Sequence, residues 1–176
     1  NLYSGHRWAV PPTADFHQLD AGDETAMSSL LRQQRTDAVI HFAGHIVVPE
    51  SIADPAKYYR NNVVASLNLI RACCASGVRY FIFSSSAAVY GDPEQVPVAE
   101  HHPTIPINPY GRTKLITEWT LRDMALGGRQ GSAGLKYVAL RYFNVAGASL
   151  DGTLGQATPE ATHLIKVACE TATGQR

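Results

Sequence analysis

"VRYFIFSSS", residues 78–86, decides the fold. Val78, Tyr80, Phe81, Ile82 and Phe83 make a nearly unbroken β-branched and aromatic run. A strand with one wet face alternates apolar and polar residues, so a continuous run of this kind reads as a strand covered on both faces, as in parallel sheets. Two more runs share the pattern, "AVIHFAG" (38–44) and "YVALRYFN" (137–144). Longer amphipathic stretches separate them. Residues 23–34, opened by the capping acid Asp23, read as a helix. So do 55–75, with Val63, Leu67 and Ile70 before the stop at Gly77, and 109–126, ended by the glycines at 127 and 128. A last helix is predicted over 159–172. Strands and helices in alternation imply right-handed crossovers, hence an α/β fold: a doubly wound, mainly parallel sheet with helices on both faces.

A chain of 176 residues is long enough for one compact domain with a substantial core. Its 15 basic and 15 acidic residues cancel, and no basic cluster marks a nucleic-acid surface. No apolar run reaches the roughly 20 residues that span a bilayer, and no signal-peptide pattern opens the chain, so a soluble cytoplasmic protein is expected. Cys73, Cys74 and Cys169 are odd in number and form no CxxC pair, which reads as reduced core thiols. "EHHP" at 100–103 has no companion cluster at metal-ligand spacing, so no metal is expected. The segment 91–109 reads as a long loop and 127–134 as a flexible surface turn.

Parallel sheets bind ligands beyond the carboxyl ends of their strands. Here "FAGH" (42–45), "SSSAAVYG" (84–91) and "FNVAG" (143–147) end the three strands with small or polar residues, all aimed at one crevice. The long loop then leads into "NPYGRTK", residues 108–114. Tyr110 and Lys114 are one helical turn apart and share a face. An ammonium beside a phenol favours the phenolate, so the pair is suited to taking a proton from an alcohol. A plain helix start with a solvated lysine fits the spacing as well. Ser86, closing the central strand, is placed to hydrogen-bond a substrate oxygen. Removing an alcohol proton is productive when hydride leaves the same carbon, which calls for a nicotinamide acceptor.

"FSSSAAVYG", "NPYGRTK", "LRYFNVAGA", "VIHFAG" and "YYRNNV" together resemble the UDP-glucose 4-epimerase branch of the extended short-chain dehydrogenase/reductase family, with a Rossmann-type domain. The match runs through essentially the whole chain in family order. By that resemblance Tyr110 is the catalytic base and acid, Lys114 lowers its pKa and contacts the nicotinamide ribose, and Ser86 binds near the sugar 4-hydroxyl. Phe42, Ala43, Gly44, His45, Asn61, Ser84 and Phe143 fall at NAD-contacting positions, Asp20 with Ala21 beside the adenine, and Asn1 on the cofactor side. Asn144, His163 and Leu164 fall where the family holds the UDP-sugar. Phe42 and Phe143 read equally well as core residues; Asn61, polar in an apolar helix, calls for a specific partner. The implied reaction interconverts UDP-glucose and UDP-galactose through a 4-keto sugar on tightly bound NAD. The family's GxxGxxG turn has no counterpart here. An interior fragment is therefore expected, without most of the sugar-nucleotide domain and inactive alone. Related dehydratases carry adjacent Asp and Glu where this chain has Ala87 and Ala88. Another UDP-sugar 4-epimerase and a catalytically silent NAD-binding protein stay open as alternatives. Family members often form homodimers through two helices, here 55–75 and 109–126.

Overall fold

The computed structural model describes residues 1–127, 134–158 and 163–175. Most of the predicted 127–134 turn and the first four residues of the predicted 159–172 helix lie outside that set. The chain forms two compact units, residues 19–143 and residues 1–18 with 144–176.

The first unit is built on three parallel strands, β1 (Ala38–His41), β2 (Tyr80–Ser86) and β3 (Lys136–Tyr142), in the order β1-β2-β3. Helix α1 (Glu24–Gln33) leads into β1, and Asp23 caps it by accepting the Ala26 N–H at 3.0 Å. Between β1 and β2 lie α2 (Val48–Ala53), α3 (Pro55–Tyr58) and α4 (Ala65–Ala75). Residues Tyr59–Val64 join α3 to α4 as a π-helical segment, so the predicted 55–75 helix is one run with a wider turn inside it. Helix α5 (Pro109–Gly127) crosses from β2 to β3. Its start is fixed by Asn108, whose Oδ1 accepts the Gly111 N–H at 2.8 Å, with Pro109 in the first helical position.

Phe81 and Phe83 are each 1% exposed and point to one face of β2, where Val39, Tyr137 and Ala139 flank them. Leu31 from α1, Leu69, Ile70 and Cys73 from α4, and Leu121 from α5 close over that face to form the core. On the opposite face Ile40, Ile82 and Val138 stand side by side in register. Ile40 is 57% and Val138 53% exposed. The α/β class and parallel sheet agree with the sequence reading, and among the described residues of this unit the core-forming helices close over the Phe81 and Phe83 face. Right-handed crossovers that step in one direction across a sheet leave their helices on one side, and a second layer needs a reversal of strand order. The order β1-β2-β3 has no reversal.

The second unit holds a short 3₁₀ turn, Arg7–Ala9, and helix α6 (Leu164–Ala172). Arg7 lies over the Phe16 ring at 4.6 Å, and Ser149 accepts and donates bonds to Leu154 in a tight turn. All three cysteines are free, but Cys73 alone is buried; Cys74 and Cys169 are exposed, on the outer faces of α4 and α6. Among the described residues no helix is long and apolar enough to cross a membrane. In the "EHHP" stretch, His102 Nδ1 accepts the Ala99 N–H at 2.9 Å, a loop cap.

Candidate active site

Strand β2 ends at Ser86, whose hydroxyl accepts the Ala88 N–H at 3.2 Å and so starts the 3₁₀ turn Ala87–Tyr90. Helix α5 presses against that turn through Gly111. A Cβ at Gly111 would meet the Ala88 carbonyl oxygen at 2.6 Å and the Pro106 Cβ at 3.0 Å, so only glycine allows this approach. The approach sets the neighbouring Tyr110 phenol beside Ser86. Tyr110 is further held by its N–H, which donates to Ser51 Oγ at 3.2 Å.

Lys114 lies one turn along α5 and is 4% exposed, so it is not a solvated lysine. Its Nζ donates to the Ser84 carbonyl at 2.9 Å and sits 5.1 Å from the Phe83 ring centre and 5.8 Å from that of Tyr110. Burial depresses its pKa to about 8. Burial raises the Tyr110 phenol, and the Ser86 hydroxyl pulls it back in part. The expected lowering of the phenol by Lys114 is absent from this resting site. Desolvation disfavours both charged forms, and the lysine gives up its proton first.

Beyond the end of β1, Gly44 lies against the lysine: a Cβ there would be 3.2 Å from Asn62 Oδ1 and 3.8 Å from Lys114 Nζ. Asn62, 3% exposed, clamps the backbone of His45 on both sides, accepting its N–H at 2.8 Å and donating to its carbonyl at 2.9 Å. A third bond, at 3.2 Å, reaches Thr113 Oγ1 on α5. Asn61, named by the sequence, is half-buried, and its partner is this neighbour, through Nδ2 to Asn62 Oδ1 at 3.0 Å. Sequence reasoning passed over Asn62. It falls on the stripe 62, 66, 69, 70, 73 that the π-helical segment and α4 bury together, where a polar side chain must find partners. His41 was also passed over; it is 5% exposed, bonds Ser66 Oγ at 2.9 Å and stacks on Phe83. Burial, with Lys114 nearby, lowers its pKa to about 4, so a neutral imidazole underlies the site.

Phe42 and Phe143, just past β1 and β3, are 63% and 69% exposed and are not core residues. Ala43 is exposed and Ala21 half-buried, and Asp20 accepts the Gly22 N–H at 2.8 Å ahead of α1. Tyr110, Lys114, Ser86, Ser84, Gly44, His45 and Asn61 thus form one connected group, with Phe42 and Phe143 flanking it at the same end of the sheet. In the second unit, Asn1 accepts the Tyr3 N–H, Asn144 is exposed, and His163 precedes α6, which Leu164 opens at 74% exposure. The His163 Nε2 is buried without a hydrogen-bond partner among the described residues.

Comparison with known proteins places this geometry. The model of the NAD dependent epimerase/dehydratase family matches residues 1–175. The chain is 52% identical to UDP-glucose 4-epimerase of Azospirillum brasilense over 176 residues, all of this chain and 49% of that protein. With the Lactobacillus helveticus UDP-glucose 4-epimerase the identity is 49%, over 93% of this chain and 48% of that protein. A crystal structure of UDP-glucose 4-epimerase from Brucella ovis in complex with NAD superposes with a TM-score of 0.93 at 46% identity, covering 100% of this chain and 52% of that one. The UDP-Glc/GlcNAc 4-epimerase of Campylobacter jejuni gives 0.76 at 49% identity, over 92% of this chain and 48% of that one. The chain thus spans about half the length of the curated relatives it matches. With residues 1–175 matched and half of its positions identical to named relatives, the chain belongs to the NAD dependent epimerase/dehydratase family.

Proposed function

We propose that the protein containing this chain is an NAD-dependent UDP-glucose 4-epimerase, an isomerase of galactose metabolism acting in the cytoplasm. One observation carries the reading: the Tyr110 phenol lies close enough to Ser86 for the hydroxyl to pull its pKa down, while Lys114 lies buried one turn away, at the carboxyl end of a parallel sheet. The relatives' names and the Brucella ovis complex with NAD support it.

The residues present fit a dinucleotide. Gly44 leaves a hollow against Asn62 and Lys114 that a side chain would fill, and two exposed phenylalanines offer flat apolar faces near it. Phe42, Ala43, Gly44, His45, Asn61, Ser84, Lys114 and Phe143 are the residues that would hold NAD, with Asp20, Ala21 and Asn1 at its adenosine end. Bound there, NAD supplies a reversible hydride acceptor for the sugar C4.

This chain's own part is the proton. Ser86 holds the sugar 4-hydroxyl against Tyr110, which takes the proton as the alcohol is oxidised and returns it after the 4-keto sugar has turned over. Neutral lysine with phenol, and ammonium with phenolate, are two placements of one proton on the Tyr110–Lys114 pair. The pair loses a proton as Lys114 does, at about 8, and from that state it accepts one from the substrate. Burial keeps water from competing for it. Asn144, His163 and Leu164 are assigned to the UDP-sugar. The exposed Val64, Trp119 and Leu126 suit a homodimer through the helical stretches 55–75 and 109–126. No role in binding nucleic acid or membrane is assigned.

A second reading, a 4-epimerase that also accepts N-acetylated UDP-hexosamine, is favoured by the likeness to the Campylobacter jejuni enzyme. Supplying the whole protein with UDP-galactose and with UDP-N-acetylglucosamine tests both. The first reading expects UDP-glucose from UDP-galactose with no net NADH; failure to convert either sugar refutes both readings.

A further inference from the structure

Tyr110, Lys114 and Glu118 recur every four residues along α5 and share one face. That face meets three successive residues of β2. The Tyr110 phenol lies beside the Ser86 hydroxyl, Lys114 Nζ donates to the Ser84 carbonyl, and Ser85 Oγ donates to Glu118 Oε1 at 2.5 Å. Ser85 is 2% and Glu118 8% exposed, and a carboxylate so buried is costly unless paired. Arg141 on β3 supplies the pair. Its Nη2 lies 2.7 Å from Oε2 and its Nε 3.1 Å from Oε1, a fork laid along both carboxylate oxygens. Arg141 is also the residue of β3 in register with Ser85. Its Nη1 continues to Tyr90 Oη at 2.9 Å and to the Glu100 carbonyl at 3.2 Å.

The consequence lies in what the network grips. Ser85 precedes Ser86 in the strand, and Tyr90 closes the turn that Ser86 opens. Resting on the epimerase reading above, we propose that Glu118, held by Arg141, is a positioning residue for the proton transfer. It fixes the chain on both sides of Ser86 and sets the register of α5 on β2, so that the serine hydroxyl, the phenol and the ammonium keep their mutual places. Neither Glu118 nor Arg141 touches the reacting groups. Transfer of a proton is sensitive to misplacement by about 1 Å, which costs on the order of a hundredfold in rate.

Two substitutions in the whole protein, supplied with NAD and UDP-galactose, test this. Ser85→Ala cuts the strand from the clamp and leaves the ion pair intact; Glu118→Gln keeps the shape and removes the charge that holds Arg141. Both are expected to lower kcat by about tenfold or more while the KM for UDP-galactose stays within about twofold. Both are also expected to raise the ionisation midpoint of the Tyr110 phenol, read by absorbance against a Tyr110→Phe background, because the Ser86 hydroxyl that pulls it down is no longer held against it. If kcat stays within about twofold of wild type well below the unfolding temperature, whatever the change in Tm, the clamp is only a structural brace and the proposal is overturned. Should Glu118→Gln fail to fold, Ser85→Ala decides alone. If the wild-type protein converts no UDP-sugar, the epimerase reading fails separately. The phenol titration then judges the clamp, and an unmoved midpoint in Ser85→Ala overturns it.

Discussion

Lys114 carries its charge in a place that penalises it, and the penalty can be read from the pH dependence of stability. Folding lowers its pKa from 10.5 to about 8 by burial. A folded-state pKa below the unfolded value means that the unfolded chain binds the extra proton between those two pH values, so stability rises as pH climbs through that window. A shift of this size corresponds to about 3 kcal/mol, most of it present at pH 7 and most of it gone by pH 10. Lys114→Met removes the titrating group and keeps much of the buried stem. The substitution loses the bond to the Ser84 carbonyl, worth about 1.5–3 kcal/mol for a charged donor, and escapes a penalty of similar size. At pH 7 the variant is therefore expected to be about as stable as wild type. Between pH 7 and pH 10 wild type should gain about 2 to 3 kcal/mol relative to the variant. Urea unfolding of both proteins at the two pH values, without nucleotide, measures the difference, and other ionisations cancel between the two chains. Parallel stability profiles would refute the claim that burial of the ammonium perturbs it.

His41 behaves in the same sense at lower pH. Its folded pKa of about 4 lies below the ordinary 6.5, so the folded state loses about 3 kcal/mol as pH falls through that interval, and His41→Leu should flatten this limb. Gly111→Ala drives a methyl against the Ala88 carbonyl and should cost about 1–3 kcal/mol, seen as a lower Tm, together with a loss of kcat as Tyr110 is pushed from Ser86; an unchanged Tm contradicts the packing argument. Asn62→Leu removes the two bonds that hold the His45 N–H and carbonyl, each worth about 0.5–1.5 kcal/mol. Hydrogen exchange at the His45 amide should then speed up markedly, and undiminished protection would show that the clamp is not what orders this loop.

The strands and most helix ends were legible because they depend on local signals. Asp23 caps where the sequence places it, α5 starts at Pro109 as read, and the apolar run into Ser86 forms the central strand. The spacing of Tyr110 and Lys114 was legible for the same reason. What escaped were facts set by long-range packing. Asn62 is read as loop or core only once its partners His45, 17 positions back, and Thr113, 51 positions on, are known. Glu118 and Arg141, 23 positions apart, look like ordinary charges on a helix and a strand until parallel pairing sets Arg141 beside Ser85. The direction of the Tyr110 shift went the other way from expectation because spacing reports which charges are near, and burial, which wins here, is a property of the folded whole.

The central claim is that the Tyr110 phenol carries the substrate's proton. Its most direct test is the turnover of UDP-galactose by the whole protein and by Tyr110→Phe, a change that removes one oxygen and leaves the ring in place. A fall in kcat on the order of a hundredfold to ten-thousandfold, with NAD still bound and Tm within a few degrees, is the predicted result. Turnover preserved within about tenfold would contradict it, and would assign the proton to another group.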